Sequence, residues 1–136
     1  MFGIIICSHS DLCIGLKLSI EMIVGKQDML VALPFYEDIP LEEYSQQIKS
    51  EIDKMAPFQC VLVTDLANAT PYNCALSQIY QTNHYILSGA SLPMMLMLIT
   101  KRQENCISLE VLCNEIVMNS KEFVNKTNSI EFFGEE

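Results

Sequence analysis

Short apolar runs alternate with helical patterns from one end of the chain to the other, which constrains the fold more than any other feature. The first run, residues 3–8, is continuous and contains three isoleucines, as is typical of a strand buried on both faces. Further strands are predicted at residues 29–35, 58–64 and 83–88. This alternation predicts an α/β fold, an open and mostly parallel doubly wound sheet with helices on both faces.

The helical segments differ in how much of their surface is apolar. The segment after Pro40 has one apolar and one charged face, as expected for a helix that rests on a sheet. Thr70-Pro71 predicts the N-cap and the first residue of another helix. Ser108 is expected to cap a long helix to about residue 126, followed by a terminal strand at residues 129–133.

The first helical segment, residues 11–24, is apolar on too many sides for a lone surface helix. Its apolar residues fall on one face and on the opposite flank: Leu12, Leu16, Ile20 and Ile23 on the face, and Ile14, Leu18 and Met22 on the flank. Either a contact with another subunit or a second layer of the same chain explains this surplus.

Length and charge limit the functional classes. The 136 residues are predicted to form a single domain, residues 1–136, and 17 acidic against 8 basic residues give a net charge of −9. Nucleic acid is therefore not an expected partner, because binding to phosphates needs clustered lysine and arginine. The amino-terminal residues lack the features of a secretory signal, and the six cysteines lie mostly in apolar runs. We therefore expect a cytoplasmic protein with reduced cysteines and no metal site or cofactor.

Polar residues follow the predicted strands where a parallel sheet binds its ligands. The first strand is followed by Ser8-His9-Ser10-Asp11, the third by Asp65 and the fourth by Ser88-Gly89. A carboxylate bonded to one ring nitrogen of a histidine fixes the tautomer and leaves the other nitrogen as a nucleophile. His9 and Asp65 are therefore the candidate catalytic pair, with a phosphohistidine as the product of attack on phosphorus.

Hydroxyl and amide donors are expected to bind the phosphoryl group. Ser8, Ser10 and Thr70 are the candidate phosphate-binding residues, together with the helices that begin after Ser10 and Thr70. A purely structural His9 at a strand end explains the residue type equally well. The second histidine, His84, is expected to be exposed and without a role, and the methionines at positions 94, 95 and 97 to fill the core.

Three stretches resemble the IIA component of the mannose-type sugar phosphotransferase system. They are Gly3-Ile-Ile-Ile-Cys-Ser-His9, Val63-Thr-Asp65-Leu-Ala-Asn-Ala-Thr70-Pro71-Tyr-Asn73 and Ser88-Gly89-Ala-Ser-Leu92-Pro93-Met94. The likeness covers nearly the whole chain. It implies that His9 is phosphorylated and that Asp65 orients it.

The resemblance also implies the partners. A histidine-containing phosphocarrier protein is the expected donor, a IIB component on a separate chain the acceptor, and membrane IIC and IID components act indirectly by importing the sugar. A homodimer is implied as well, with an antiparallel carboxyl-terminal strand exchanged between subunits, for which residues 130–133 are the candidate.

The chain departs from the family at two places near the site. Asn68-Ala69 stands where the family has Gly-Gly, and Ser10 follows His9 where glycine is usual. The first departure keeps open a second function, that of a regulatory member of the same family acting as a phosphorylation-dependent binding module.

Other chemistries fit the residues less well. A response-regulator receiver with Asp65 as acceptor needs an acidic pair after the first strand to hold Mg²⁺, and Asp11 stands there alone. A phosphatase built on Cys7 needs an arginine six residues later, where Cys13 stands. A flavin carrier needs a loop after the first strand that accepts phosphate, which the Asp11 carboxylate disfavours.

Overall fold

A computed structural model describes residues 1–105 and 107–130. Its sheet consists of β1 (Gly3–His9), β2 (Leu30–Phe35), β3 (Cys60–Thr64) and β4 (Tyr85–Ser88). All pairings are parallel and the strand order is β2-β1-β3-β4. The predicted open, parallel sheet is confirmed, and the order reverses between β1 and β3.

Within the described residues, five named helices and a short 3₁₀ turn pack on this sheet. They are α1 (Leu12–Val24), α2 (Leu41–Met55), α3 (Thr70–Ile79), α4 (Leu92–Glu104), α5 (Leu109–Asn119) and the turn Ser120–Glu122. Helices α1, α4 and α5 share one hydrophobic core with the sheet, and α2 and α3 share the other. The sheet is therefore doubly wound, as predicted.

Strand β1 is apolar from Ile4 to Cys7 because these residues supply both cores. Ile4 and Ile6 belong to the core under α1, α4 and α5, whereas Ile5 and Cys7 belong to the core under α2 and α3. All residues of the strand are buried except His9, the last one. The methionine-rich segment behaves as expected, since Met94 and Met95 are buried and Met97 packs against the same core.

Two predicted helix boundaries are wrong. The N-cap of α3 is Ala69, in an extended conformation, and Thr70 is already the first helical residue. Ser108 does cap α5, accepting the Val111 amide at 3.2 Å, but that helix ends at Asn119 rather than near residue 126. A 3₁₀ turn, Ser120–Glu122, follows it directly.

The predicted terminal strand lies mostly outside the described residues. Ser129 and Ile130 are described and have helical backbone, which contradicts a strand at these two positions. Residues 131–133, and with them most of the candidate exchanged strand, lie outside the described part of the chain.

Most of the apolar surface of α1 faces outward. Only Cys13 and Ile20 are buried on this helix, while Leu18 is 65% exposed and Met22 is 90% exposed. Leu12 and Ile23, which were predicted to share one helix face with Ile20, are also exposed. Within the described residues, no second layer of the chain covers this face.

His84 has a structural role that the sequence analysis missed. It is partly buried at the amino end of β4, and its Nδ1 accepts the backbone N–H of Cys60 at 3.0 Å. Burial lowers the pKa of His84, so the neutral ring that this hydrogen bond requires is favoured. No helix of the described residues is long and apolar enough to span a membrane.

Candidate functional site

The sheet brings His9 and Asp65 together at its carboxyl edge. His9 ends β1 and lies in register with Phe35 of β2, while Asp65 directly follows β3 on the other side of β1. This is where the strand order reverses, the place at which open α/β sheets bind their ligands.

Two hydrogen bonds fix the His9 ring against one carboxylate oxygen. Asp65 Oδ2 lies 2.8 Å from His9 Nδ1 and accepts the His9 backbone N–H at 2.9 Å. The Nδ1 nitrogen therefore carries the proton and donates to Asp65, which leaves the lone pair of Nε2 free. The histidine side chain is 48% exposed and that of Asp65 only 11%, so the nucleophile is accessible while the group that orients it is protected.

The second carboxylate oxygen of Asp65, Oδ1, is buried and receives no hydrogen bond from the described residues. A buried polar atom without a partner is costly and is found most often where function requires it. The hydrogen bonds of this carboxylate within the described structure are thus directed at His9.

Ser8 and Ser10 shape the loop after β1 in different ways. Ser8 is fully buried, and its hydroxyl donates to the Ser10 carbonyl at 3.1 Å and accepts the Cys13 N–H at 2.8 Å. Ser10 is exposed and has a φ of 51°, in the left-handed region that favours glycine. This backbone explains why glycine suits the position after the histidine.

The loop after Asp65 accommodates the Asn68-Ala69 departure. Asn68 has a φ of 66°, which asparagine tolerates, whereas Ala69 has a φ of −96° and needs no glycine. Asn73 donates to the Asn68 carbonyl at 3.4 Å. The two glycines are therefore not required for this backbone. Thr70 is partly buried in the first turn of α3 and is not among the residues that line the cleft beside His9.

The cleft beside His9 has a volume of about 360 Å³ and contains residues that the sequence analysis missed. Ser10, Phe35, Tyr36 and Glu37 line it with the histidine. The last three belong to the end of β2 and the loop after it, and the pairing of β2 with β1 is the signal that places them here. A larger groove, of about 510 Å³, runs along α2 but is not lined by a histidine, cysteine or aspartate.

The buried thiols offer no alternative nucleophile. Cys7 is completely buried, and burial raises its pKa to about 12. Burial also raises the pKa of Cys13 and Cys60. A thiol in this state is not ionised at neutral pH, and the thiolate is the reactive form, which argues against phosphatase chemistry on Cys7.

Comparison with known proteins points to one family. The family model EIIA-man, PTS system fructose IIA component, matches residues 3–117. The fructose-specific EIIA component of the PTS system from Bacillus subtilis (strain 168) is 30% identical over 127 residues, covering 90% of this chain and 84% of that protein. The sorbose-specific EIIA component of Lacticaseibacillus casei is 25% identical over 121 residues, covering 88% and 86%.

A solved structure agrees with the sequence matches. The crystal structure of the PTS IIA protein associated with the fucose utilization operon from Streptococcus pneumoniae superimposes with a TM-score of 0.80. It is 26% identical, and the match covers 91% of each chain. The likeness therefore extends over nearly the whole fold, and the residues that the family model matches, 3–117, include positions 9 and 65.

Proposed function

Because the chain belongs to the PTS fructose IIA component family, whose members take part in sugar phosphotransfer, we propose that it carries a phosphoryl group on His9. The donor is a histidine-containing phosphocarrier protein, and the acceptor is a IIB component on a separate chain. Membrane IIC and IID components import the sugar and are therefore indirect partners. Transfer takes place in the cytoplasm.

The His9–Asp65 geometry is the single observation that carries this proposal, since it orients the ring through Nδ1 and leaves Nε2 free on a side chain that is half-exposed. The Nε2 lone pair attacks phosphorus, the new P–N bond forms, and the bond to the donor histidine breaks with its electron pair returning to the donor ring. The Nδ1 proton stays in place and faces Asp65. The carboxylate balances the positive charge that the ring gains, and the same transfer in reverse delivers the group to IIB.

Ser10 and Thr70 remain the proposed hydroxyl donors to the phosphoryl group. Ser10 supports this role best because it is exposed and lines the cleft beside His9. Thr70 begins α3, so its own amide is among the free N–H groups of that helix. Ser8 contributes by shaping the loop after β1, because its buried hydroxyl is already hydrogen-bonded to the backbone of Ser10 and Cys13.

A homodimer is part of the proposal. The outer surface of α1 exposes Leu18, Met22 and Ile23 on one helix, and a large exposed apolar patch marks an interaction site. In a symmetric dimer this patch is covered by a second copy of the chain.

Phosphotransfer with purified components tests the function. The chain is mixed with labelled phosphocarrier protein and then with a IIB component. Wild type is expected to take up acid-labile label and pass it on, and His9→Ala to take up none while keeping its fold. His84→Asn is the matched control, since it removes the other histidine but keeps an acceptor for the Cys60 amide.

Two results separate the alternatives. Label retained in His9→Ala overturns the assignment of the phosphorylated residue. Label that reaches His9 but is passed to no IIB acceptor favours the regulatory function over transport.

A further inference from the structure

The His9 ring has a second neighbour besides Asp65. Phe35, the last residue of β2, lies with its ring nearly perpendicular to the imidazole, at an interplanar angle of 84° and with 6.4 Å between the two ring centroids. Aromatic rings attract each other in this T-shaped arrangement. Because β1 lies between β2 and β3, His9 has a carboxylate on the side of one neighbouring strand and an aromatic ring on the side of the other.

Phe35 is itself held by both its backbone and its side chain. Its carbonyl accepts the Ser10 N–H at 2.8 Å, and its ring meets the Tyr44 ring at 67° with 5.1 Å between the centroids. Tyr44 is fully buried, and its hydroxyl donates to the Leu33 carbonyl at 2.6 Å. A row of three rings therefore connects the core under α2 to the half-exposed imidazole of His9.

The hydrogen bond to Asp65 does not fix the direction of Nε2 by itself. It sets the position of Nδ1, but the ring can still turn about this one bond and move Nε2 away from an incoming phosphorus atom. Phe35 lines the cleft beside His9, so its ring restricts the imidazole on the side away from Asp65. Correct orientation of the attacking atom is a large part of the rate of such a reaction.

We propose that Phe35 is a positioning residue for phosphoryl transfer, whose ring keeps the His9 imidazole in the orientation in which Nε2 faces the incoming phosphorus. This inference rests on the proposed function. Phe35 is suited to the role because Tyr44 and the core of α2 and α3 already hold its ring in place. Little further ordering is then needed at the moment of transfer.

Phe35→Leu tests the inference, since it removes the ring but keeps an apolar side chain against the core. We expect the rate of His9 phosphorylation at saturating phosphocarrier protein to fall about two- to tenfold, the factor to which the interaction of an aromatic pair converts. The concentration that gives half of the maximal rate is expected to stay unchanged. An equal loss is expected with phosphoramidate, a small-molecule donor that releases ammonia.

Val31→Ala is the matched control. Val31 packs against the same core from the same strand, but it is not among the residues that line the cleft. This variant is therefore expected to keep the wild-type rate. Equal losses in Phe35→Leu and Val31→Ala mean that a loosened core slows the reaction, and they overturn the inference.

Two further results also overturn it. A wild-type rate in Phe35→Leu shows that the ring does not position His9. A loss confined to the phosphocarrier protein, seen as a higher half-saturating concentration, shows that Phe35 contacts the partner instead.

Failure of the proposed function gives a different result, namely no label on wild-type protein from either donor. Relaxation of ¹³C nuclei in the His9 ring then still tests the inference, because it reports how strongly the ring is restricted. The order parameter is expected to fall in Phe35→Leu and to keep its wild-type value in Val31→Ala. Equal order parameters in all three proteins contradict the inference without reference to activity.

Discussion

At the scale of single residues, the site depends on the Asp65 carboxylate, whose hydrogen bonds within the described residues all go to His9. The sequence predicts this pair because His9 and Asp65 follow strands that run in parallel, and the structure places them 2.8 Å apart. It does not predict Tyr36 and Glu37, since nothing in their immediate sequence marks the end of β2 as part of the site. Only the strand pairing brings them beside His9.

Asp65→Asn is expected to slow phosphoryl uptake about 10- to 100-fold without abolishing it, the same scale of loss as when a metal-binding histidine loses the carboxylate that orients it. The amide cannot balance the charge that the ring gains during transfer. Single-turnover phosphorylation measures the rate, with Asp53→Asn on the exposed side of α2 as the control. A rate equal to that of the control contradicts the role assigned to Asp65.

At the scale of elements, apolar runs and helical periodicity predict the four described strands and the helices α1, α2, α3 and α5, whereas the ends of these elements depend on tertiary contacts. Helix α5 ends at Asn119, where a 3₁₀ turn begins, which the sequence alone does not reveal. The prediction that His84 has no role was wrong because that role also depends on a tertiary contact. Its acceptor role arises only because β3 and β4 pair, which brings the Cys60 amide within 3.0 Å.

The β3–β4 edge is expected to make stability depend on pH. Burial lowers the pKa of His84 in the folded chain, so the unfolded chain binds a proton more readily. The contribution of the neutral His84 ring to stability is fully present above its pKa in the unfolded chain, about 6.5. It is lost as the pH falls toward the lower pKa of His84 in the folded chain. Urea unfolding from pH 7.5 down to pH 5 checks this.

His84→Asn is the matched comparison because its amide oxygen takes the place of Nδ1 and does not titrate. As the pH falls, the unfolding free energy of wild type is expected to decrease relative to that of this variant. A difference that stays constant over the window contradicts the structural role of the neutral ring.

At the scale of the whole molecule, two hydrophobic cores account for the buried residues but not for the outer face of α1. The sequence shows a surplus of apolar residues on this helix, and the structure shows that they stay exposed among the described residues. Periodicity alone did not decide between a subunit contact and a second layer. The exposure of Leu18 and Met22 favours the contact.

The double variant Leu18→Ser/Met22→Ser is expected to weaken self-association at least about tenfold, because each lost side chain removes a contact of roughly 1.5–3 kcal/mol. Sedimentation equilibrium measures the dissociation constant. Leu41→Ser, at an exposed leucine on α2 of the opposite layer, is the control. A monomeric wild type, or a variant that associates as strongly as the control, contradicts the proposed dimer face.

The most direct test of the central claim is to identify the phosphorylated atom. NMR of the phosphorylated chain, labelled with ¹⁵N at histidine, resolves which ring nitrogen couples to phosphorus. We expect coupling at Nε2 of His9, since Nδ1 is bonded to Asp65. Phosphorus on Nδ1, on Asp65 or on His84 contradicts the account.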